Sequence, residues 1–235
     1  MKIGLFADSH YCNKESIGNR KPMLSFKKIK TAMESFKQNE VDLIICLGDL
    51  VDECETKSEN VDCIKQLCEM IYSYNIPFFS LMGNHDYQNF TRKEFNTYTK
   101  GAYPPFVYEK ENVTLVFLDC NYDKDGNVYK PNEIDWTDAN LPVDQLKKLE
   151  SILKDKKKKK IYIFSHQNID NTIDEPHVVK NSDEIREAIS NSKSVKMVIQ
   201  GHYHLGKDTK IDKVLYHTLK AMCEFDEEYF EIIKL

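Results

Sequence analysis

Short apolar runs alternate with segments of helical periodicity through the first part of the chain. The apolar runs lie at Lys2–Ala7, Val41–Leu47 and Ile76–Met82, and each predicts a buried strand. Between them, apolar residues spaced three and four positions apart predict two helices, one beginning at Pro22 and one spanning 61–71. This β-α-β-α-β order favours parallel strands in a sheet that is covered by helices.

The second part of the chain is more mixed. Phe106–Tyr108 and Val113–Leu118 predict a hairpin that turns at Glu111 and Asn112, and apolar spacing after Pro142 predicts a helix. The remaining predicted elements are strands at Ile161–Phe164, Val195–Ile199, Val214–Leu219 and Tyr229–Ile233, and a helix at Asp183–Ile189.

The bulk properties are those of a globular protein. The 235 residues, 41% of them hydrophobic, predict one domain over 1–235 of the α/β (α+β) class, because neither a repeat nor a long linker divides the chain. The net charge of −5 gives no overall attraction to nucleic acid or to an anionic membrane. A phosphate-bearing substrate must therefore be held by local positive charge, which bound metal ions would supply.

The termini and the cysteines bear on location. Asp8 follows Ile3 so closely that we expect no signal peptide, and no apolar run reaches the roughly 18 residues of a membrane span. The seven cysteines are odd in number and form no C-x-x-C pair. They predict free thiols in a reducing compartment, and hence a cytoplasmic protein.

A polar cluster follows each of five predicted strands. The carboxyl ends of strands in an open α/β sheet meet at one ligand-binding crevice, so these clusters should converge. Each is typical of a turn when taken alone, yet all five contain the nitrogen and oxygen ligands that metals use. The clusters are Asp8-Ser9-His10, Gly48-Asp49, Gly83-Asn84-His85-Asp86, Ser165-His166 and Gly201-His202-Tyr203-His204.

The series D-x-H, G-D, G-N-H-D, H and G-H-x-H resembles the motifs of the calcineurin-like metallophosphoesterase superfamily. The resemblance extends from Asp8 to His204, which is most of the chain. It implies a β-sandwich of two mixed sheets flanked by helices, with a binuclear metal site at the C-terminal ends of the strands. It also implies hydrolysis of a phosphate ester or anhydride by a hydroxide that bridges the metals.

The resemblance further implies how the ligands are shared. Asp8, His10 and His204 would bind one ion; Asn84, His166 and His202 would bind the other; and Asp49 would bridge both. Two ions about 3.5–4 Å apart can lower the pKa of bound water and align it with phosphorus. A set of only nitrogen and oxygen ligands admits Mn, Fe, Zn or Co, so the sequence leaves the metal open.

Two further residues acquire catalytic roles from the resemblance, and two arginines are candidates for substrate binding. His85 would bind the phosphoryl oxygen or protonate the leaving group, and Asp52 would orient it. Alternatively, Asp52 is a helix N-cap or a solvated loop acid. Arg20 and Arg92 follow metal-ligand loops, and either could bind a substrate phosphate through two hydrogen bonds. Surface placement is the alternative for both arginines.

Several weaker features remain. The stretch through Trp136–Asp138 and Pro142–Leu146 and the tail 216–224 resemble the ADP-ribose and CDP-alcohol diphosphatase branch, and the segment 121–145 is expected to cover the site. The start of the segment also resembles a calcium-binding loop, but Asn132 stands where that loop needs an acid, so a turn is favoured. The Lys156–Lys160 run predicts a solvated helix end. His177 and His217 have no motif around them and are expected to lie outside the site.

The favoured hypothesis is a hydrolase of a small phosphodiester or nucleoside-diphosphate derivative. A protein phosphatase is disfavoured because Glu53 replaces the arginine, and Asp86 the glutamate, of that branch. A DNA nuclease is disfavoured by the acidic balance, so no duplex nucleic acid or membrane partner is expected. A non-catalytic scaffold is disfavoured because all seven expected ligands are present. The sequence does not indicate an oligomeric state.

Overall fold

The strands form two sheets in a computed structural model that describes residues 1–155 and 159–235. In spatial order, the first sheet contains β10 (Glu231–Lys234), β1 (Lys2–Phe6), β2 (Leu43–Cys46) and β3 (Phe78–Ser80). The second contains β4 (Val107–Lys110), β5 (Val113–Phe117), β6 (Lys160–Ser165), β7 (Val195–Gln200), β9 (Val214–Thr218) and β8 (Lys207–Ile211).

Both sheets are mixed. Strands β1, β2 and β3 are parallel, and β10 pairs with β1 in the antiparallel direction. Strands β5, β6, β7 and β9 are also parallel, with β4 and β8 antiparallel at the two edges. The carboxyl ends of the parallel strands in each sheet therefore lie at one end of that sheet, which is where the polar clusters follow.

Helices accompany both sheets. They are α1 (Pro22–Gln38), α2 (Lys57–Tyr72), α3 (Asn84–Asn89), α4 (Arg92–Tyr98), α5 (Val143–Asp155) and α6 (Ser182–Ser190), together with a short 3₁₀ turn at Glu175–His177. Pro22 begins α1 because its fixed φ suits the first helical position. Thr56 begins α2 with a capping box, in which its hydroxyl accepts from the backbone of Glu59 and the Glu59 carboxylate accepts from the backbone of Thr56.

Strands β1, β2, β5 and β6 are largely apolar because both of their faces are buried. Leu5 of β1 and Phe164 of β6 pack in a core between the two sheets. Phe6, the next residue of β1, points the opposite way and packs with Met33 and Phe36 of α1. A second outer core lies between the six-stranded sheet and helices α5 and α6. The result is a sandwich of two mixed sheets flanked by helices, as the resemblance implied.

Most of the predicted elements are present, and the exceptions have local causes. The hairpin of β4 and β5 turns at Glu111 as predicted, with a left-handed φ of 55°. Strand β8 was not predicted because it is a mostly exposed edge strand, in which apolar and polar residues alternate only weakly. Helices α3 and α4 were also missed, since α3 begins inside the Gly83–Asp86 cluster and is very short.

The described lysines of the run, Lys159 and Lys160, lie at the end of β6 opposite to His166. Lys156, Lys157 and Lys158 fall outside the described residues, so the predicted solvated helix end is not addressed for them. Lys159 precedes β6 and its Nζ lies 3.0 Å from Glu109 Oε1. Lys160 begins β6, whereas His166 follows the other end of that strand. Among the helices of the described residues, none combines the length and hydropathy needed to cross a bilayer.

Candidate metal centre and active-site cavity

Four of the predicted metal ligands have strained backbone conformations. Asp8, His10, Asp49 and His202 have φ values of 52°, 46°, 50° and 67°, in the left-handed region that non-glycine residues rarely adopt. Such conformations cost about 1–3 kcal/mol each and cluster at functional sites. Gly83 allows the loops after β2 and β3 to pack closely, because a Cβ atom at this position would lie 2.1 Å from Asp49 Oδ1. The loops therefore hold their side chains in place at the expense of stability.

Two buried carboxylates tie these loops to one another. Asp86 accepts hydrogen bonds from the backbone amides of Leu50 (3.2 Å) and Gly83 (2.9 Å), which joins the loops after β2 and β3. Asp8 accepts from the backbone amide of His202 at 3.1 Å, which joins the loops after β1 and β7. Burial, followed by the nearby Asp49, raises the pKa of Asp86 to about 7. Asp86 is thus structural here.

The side chains of the five clusters converge around Asp49. Its Oδ2 lies 3.4 Å from the Nε2 atoms of both His10 and His166. His166 Nε2 is 3.2 Å from Asn84 Oδ1, and His10 Nε2 is 3.3 Å from His204 Nε2. The structure therefore brings residues from distant parts of the chain into one cluster of nitrogen and oxygen donors.

The donors form two groups that share one carboxylate. Asp8, His10 and Asp49 make one group, and Asp49, His166 and His202 make another, with the ligand atoms of each group within 4.8 Å of one another. His202 Nε2 is buried and has no hydrogen-bond partner among the described residues. Leaving such an atom unpaired costs about 1–3 kcal/mol. These residues fit two cations that are bridged by Asp49.

In three of the predicted histidine ligands, the Nδ1 atom has a hydrogen-bond acceptor that fixes the orientation of the ring. His166 Nδ1 lies 2.9 Å from the carbonyl oxygen of Leu47, and His204 Nδ1 lies 2.7 Å from Glu224 Oε1. His10 Nδ1 is 3.2 Å from Asp52 Oδ2. Donation from Nδ1 leaves Nε2 free to bind a cation, which is a common arrangement at metal sites.

Charge is unevenly distributed within the cluster. Burial disfavours the charged form of Asp49, but His166 and other nearby histidines hold its pKa well below the usual value. Burial likewise opposes protonation of His166, yet Asp49 raises that pKa to about 9. Burial lowers the pKa of His10 to about 4 and that of His202 well below its usual value. His10 and His202 are therefore neutral at neutral pH, as metal ligands must be, whereas His166 would have to lose its proton when a cation binds.

His85 belongs to a separate chain of contacts beside the donors. Its Nδ1 lies 3.2 Å from Asp52 Oδ1, and Arg20 Nη1 lies 2.7 Å from Asp52 Oδ2. Arg20 Nη1 is also 2.9 Å from His10 Nδ1. When His10 Nδ1 donates to Asp52, both of these nitrogens are donors and cannot bond to each other, so we assign Asp52 as the acceptor for Arg20 Nη1. Burial lowers the pKa of His85, but Asp49 and Asp52 outweigh it and raise the pKa. Asp52 is not a helix cap, because Thr56 caps α2.

The structure does not bring Arg92 to the metal ligands. Its guanidinium donates to Asp119 Oδ2 (2.7 Å), Tyr122 Oη (2.9 Å) and Tyr87 Oη (3.1 Å). It lines a separate cavity of about 200 Å³, together with Asp119. Arg92 was predicted to bind a substrate phosphate; the structure places it at this separate cavity, where a buried carboxylate holds its guanidinium.

A cavity of about 400 Å³ opens over the donors. Part of its wall is aromatic: Trp136 packs 5.5 Å from His177, and His177 packs 5.4 Å from Tyr203, between ring centroids. A second cavity of about 330 Å³ shares Arg20, Asn84, His85 and Trp136 with the first. These two spaces form a cleft with His85 on the wall common to both.

The cavity corrects one prediction and adds a residue that the sequence did not reveal. His177 was expected to lie outside the site, but the 3₁₀ turn at Glu175–His177 places it on the wall. Glu224 also lines the cavity. In the sequence, its only indication was the resemblance of the tail at 216–224 to a branch of the superfamily. His217 lies outside this cavity, where its Nε2 contacts Glu231 Oε2 at 2.9 Å.

The segment from Asn121 to Gln145 contributes Trp136 to the cleft, while its first residues form a turn. Asp123 Oδ1 accepts from the backbone amides of Asp125 (2.9 Å) and Asn127 (2.8 Å). This is the turn predicted in place of a calcium loop. The side chain of Trp136 remains partly exposed to the cavity.

Two mixed sheets with buried carboxylate, imidazole and amide donors at the strand ends define a metallophosphoesterase. The family model described as calcineurin-like phosphoesterase matches residues 1–206, and the chain belongs to this family. Membership implies a phosphoester hydrolase that uses divalent metals, consistent with the two groups of His and Asp ligands.

Known proteins similar to this chain agree with this family. A probable cyclic nucleotide phosphodiesterase of Fibrobacter succinogenes is 25% identical over 233 residues, which cover 96% of this chain and 82% of that protein. A dimetal phosphatase from Danio rerio has a TM-score of 0.87 at 17% identity, covering 100% of this chain and 92% of the other. An archaeal phosphodiesterase has a TM-score of 0.50 at 15% identity, with 100% of both chains covered. At these identities the two structures show a shared fold alone.

Proposed function

We propose that this protein hydrolyses a small phosphodiester or the pyrophosphate bond of a nucleoside-diphosphate derivative at a binuclear metal centre. The observation that carries the proposal is the pair of buried donor groups that share Asp49 and open into a cavity. The description of the Fibrobacter succinogenes relative as a probable cyclic nucleotide phosphodiesterase supports a small phosphodiester.

In this proposal every predicted ligand has a place. Two divalent ions would supply positive charge to the phosphoryl oxygens and make water at the site more acidic. Asp49 is assigned to both ions because it is common to both donor groups. The remaining ligands are Asp8, His10 and His204 for one ion, and Asn84, His166 and His202 for the other.

His85 is positioned to transfer a proton to the leaving group. Asp52 holds its Nδ1, so Nε2, which lies 3.3 Å from Arg20 Nη1, is the ring atom proposed to face the substrate. The side chain of His85 is 31% exposed, whereas those of His10 and His166 are 1% exposed, so substrate can reach it. A positioned histidine of this kind typically contributes about 10²–10⁴-fold to the rate.

Arg20 is proposed to bind a second charged group of the substrate. It lies on the wall shared by both cavities, and its guanidinium is anchored by Asp52 at 2.7 Å. A guanidinium retains further N–H groups after one ion pair, and these match the geometry of a phosphate. This anchoring orients Arg20 toward the cleft.

The size of the cleft and the charge distribution favour a small substrate. Cavities of about 400 and 330 Å³ are typical of small-molecule sites. A protein that binds duplex DNA usually needs several basic residues beside the active site, whereas this chain has a net charge of −5. Lys160 begins the strand whose far end leads to His166, and Lys159 precedes it.

The proposal is tested with purified protein and added Mn²⁺, assayed against phosphodiesters, nucleoside-diphosphate derivatives, monoesters, a phosphopeptide and duplex DNA. We expect the highest kcat/KM with a diester or a pyrophosphate. A higher kcat/KM for the phosphopeptide or for duplex DNA than for every small diester and pyrophosphate tested would reject the proposed substrate class.

Trp136→Ala is expected to weaken binding of substrates that carry a nucleobase. Stacking of a base on an aromatic ring is worth about 1–3 kcal/mol, so KM should rise about tenfold with little change in kcat. A diester without an aromatic group serves as the control substrate, and Trp136→Phe as the control variant. Equal increases in KM for both substrates would show that Trp136 has only a structural role.

Glu224→Gln is expected to weaken metal binding at the side of the centre that contains His204. Removing a carboxylate that orients a ligating histidine typically costs about 10–100-fold in metal affinity. Metal titration followed by calorimetry measures the change, and Glu228→Gln, an exposed acid of the same tail, is the matched control. Equal affinities in the two variants would contradict a role for the contact between Glu224 and His204.

A further inference from the structure

A pair of cysteines lies beside the loop that carries Asp52. The Sγ atoms of Cys54 and Cys63 are 3.7 Å apart. A disulfide bond is about 2.05 Å long, so the two sulfur atoms need to approach by roughly 1.7 Å. Cys54 precedes the Thr56 cap of α2, and Cys63 lies within that helix. The pair therefore joins the Asp52 loop to a helix that packs on the first sheet.

These two cysteines are also the most accessible in the chain. All seven cysteines are free thiols, and five of them have 0% exposure. Cys54 and Cys63 are 4% and 7% exposed. Cys12 packs in the same cluster but is fully buried. Both residues are buried, but they retain a small exposed fraction that the other five cysteines lack.

Hydrogen bonds connect the pair to the catalytic residues. The backbone amide of Cys54 donates to Asn60 Oδ1 at 2.7 Å, and Asn60 Nδ2 donates to Asn89 Oδ1 at 2.6 Å. Asn89 Nδ2 donates in turn to the carbonyl oxygen of His85 at 2.9 Å. Asp52 precedes Cys54 by two residues. Movement of Cys54 toward α2 would thus act on both partners of the contact between Asp52 and His85.

We propose that Cys54 and Cys63 are a redox-sensitive pair that a small-molecule disulfide converts reversibly into a protein disulfide, displacing Asp52 and slowing catalysis. Formation of the bond rests on the thiol geometry alone, whereas the effect on rate rests on the proposed function.

The reaction balances with a disulfide such as oxidised glutathione. One cysteine thiolate attacks the reagent and releases one equivalent of its thiol; the other cysteine then displaces the second equivalent. The two protein thiols give up two electrons and two protons, which appear in the two released thiols. Burial, followed by the neighbouring Cys54, raises the pKa of Cys63 to about 12.

The test uses the full-length, metal-loaded protein treated with oxidised glutathione. We expect loss of two of the seven free thiols and a single cross-linked peptide pair joining Cys54 to Cys63, both reversed by dithiothreitol. For a substrate with a poor leaving group, kcat should fall roughly tenfold, because misplacing catalytic groups by about 1 Å has large effects. Activity should return with the thiols.

Two variants act as controls. Cys63→Ser should abolish the cross-link and the loss of activity, whereas Cys12→Ser should retain both because Cys12 belongs only to the surrounding cluster. A cross-link at other cysteines, or none, would overturn the proposed pair. A bond between Cys54 and Cys63 with unchanged kcat would overturn its coupling to Asp52. Protein that is inactive even when reduced would count against the proposed function, while the peptide map would still decide the disulfide.

Discussion

Replacing Asp49 with Asn is expected to reduce both metal content and activity. Asp49 is common to both donor groups, and its Oδ2 lies 3.4 Å from His10 and from His166. A neutral amide removes the negative charge that faces both proposed ions. Loss of one electrostatic contact in an active site costs about 10²–10³ in kcat, and loss of the ions adds to this, so a decrease of at least about 10³-fold is expected.

Elemental analysis of protein purified without chelator measures the metal content directly. The parent protein should approach two transition-metal ions per chain, and the variant should contain well under one. Asp62→Asn, the same substitution at an exposed position of α2, is the matched control and should retain both ions. Near-full metal occupancy in Asp49→Asn would contradict the bridging assignment.

Replacing His85 with Ala is expected to retain both metals while lowering kcat. The loss should be about 10²–10⁴-fold on a substrate with a poor leaving group, because a general acid contributes that much. This corresponds to roughly 3–5 kcal/mol of transition-state stabilisation. A p-nitrophenyl ester should lose much less, since p-nitrophenolate leaves without protonation.

The dependence on the leaving group separates proton transfer from simple misfolding. Comparing the two substrates within one variant cancels differences in folding and metal content. Asp52→Asn should show the same direction of dependence, because Asp52 Oδ1 lies 3.2 Å from His85 Nδ1 and orients the ring. Equal losses on both substrates in His85→Ala would argue against the acid role and favour a role in binding the phosphoryl oxygen.

The predicted strands were recovered well because their faces are buried on both sides. Such strands are apolar in every position, as at Leu43–Cys46, and the pattern is visible without tertiary information. Strand β8 lacks this signal because it is an exposed edge strand that forms by pairing with β9. The sandwich arrangement itself followed from the family resemblance, since periodicity does not reveal which sheets pack together.

The contacts around the metal ligands could not be predicted because they join residues far apart in the sequence. Glu224 reaches His204 across 20 positions, and Asp119 holds Arg92 across 27 positions. Asp119 belongs to no recognisable motif, and Glu224 had only the weak signal of the tail at 216–224. His177 gave no local signal because its position on the cavity wall depends on the turn that follows β6.

The sequence by itself determined which residue types follow the strands, and therefore the chemistry that the protein offers. Parallel strands place their carboxyl ends together within one sheet, so the clusters after β1, β2 and β3 meet at one end of the first sheet and those after β6 and β7 at one end of the second. The packing of the two sheets then brought the two sets together. Tertiary structure alone decided which charges neutralise one another. It assigned Arg20 to the cleft and Arg92 to Asp119, and it brought Cys54 next to Cys63, because those pairings depend on distances that only the folded chain fixes.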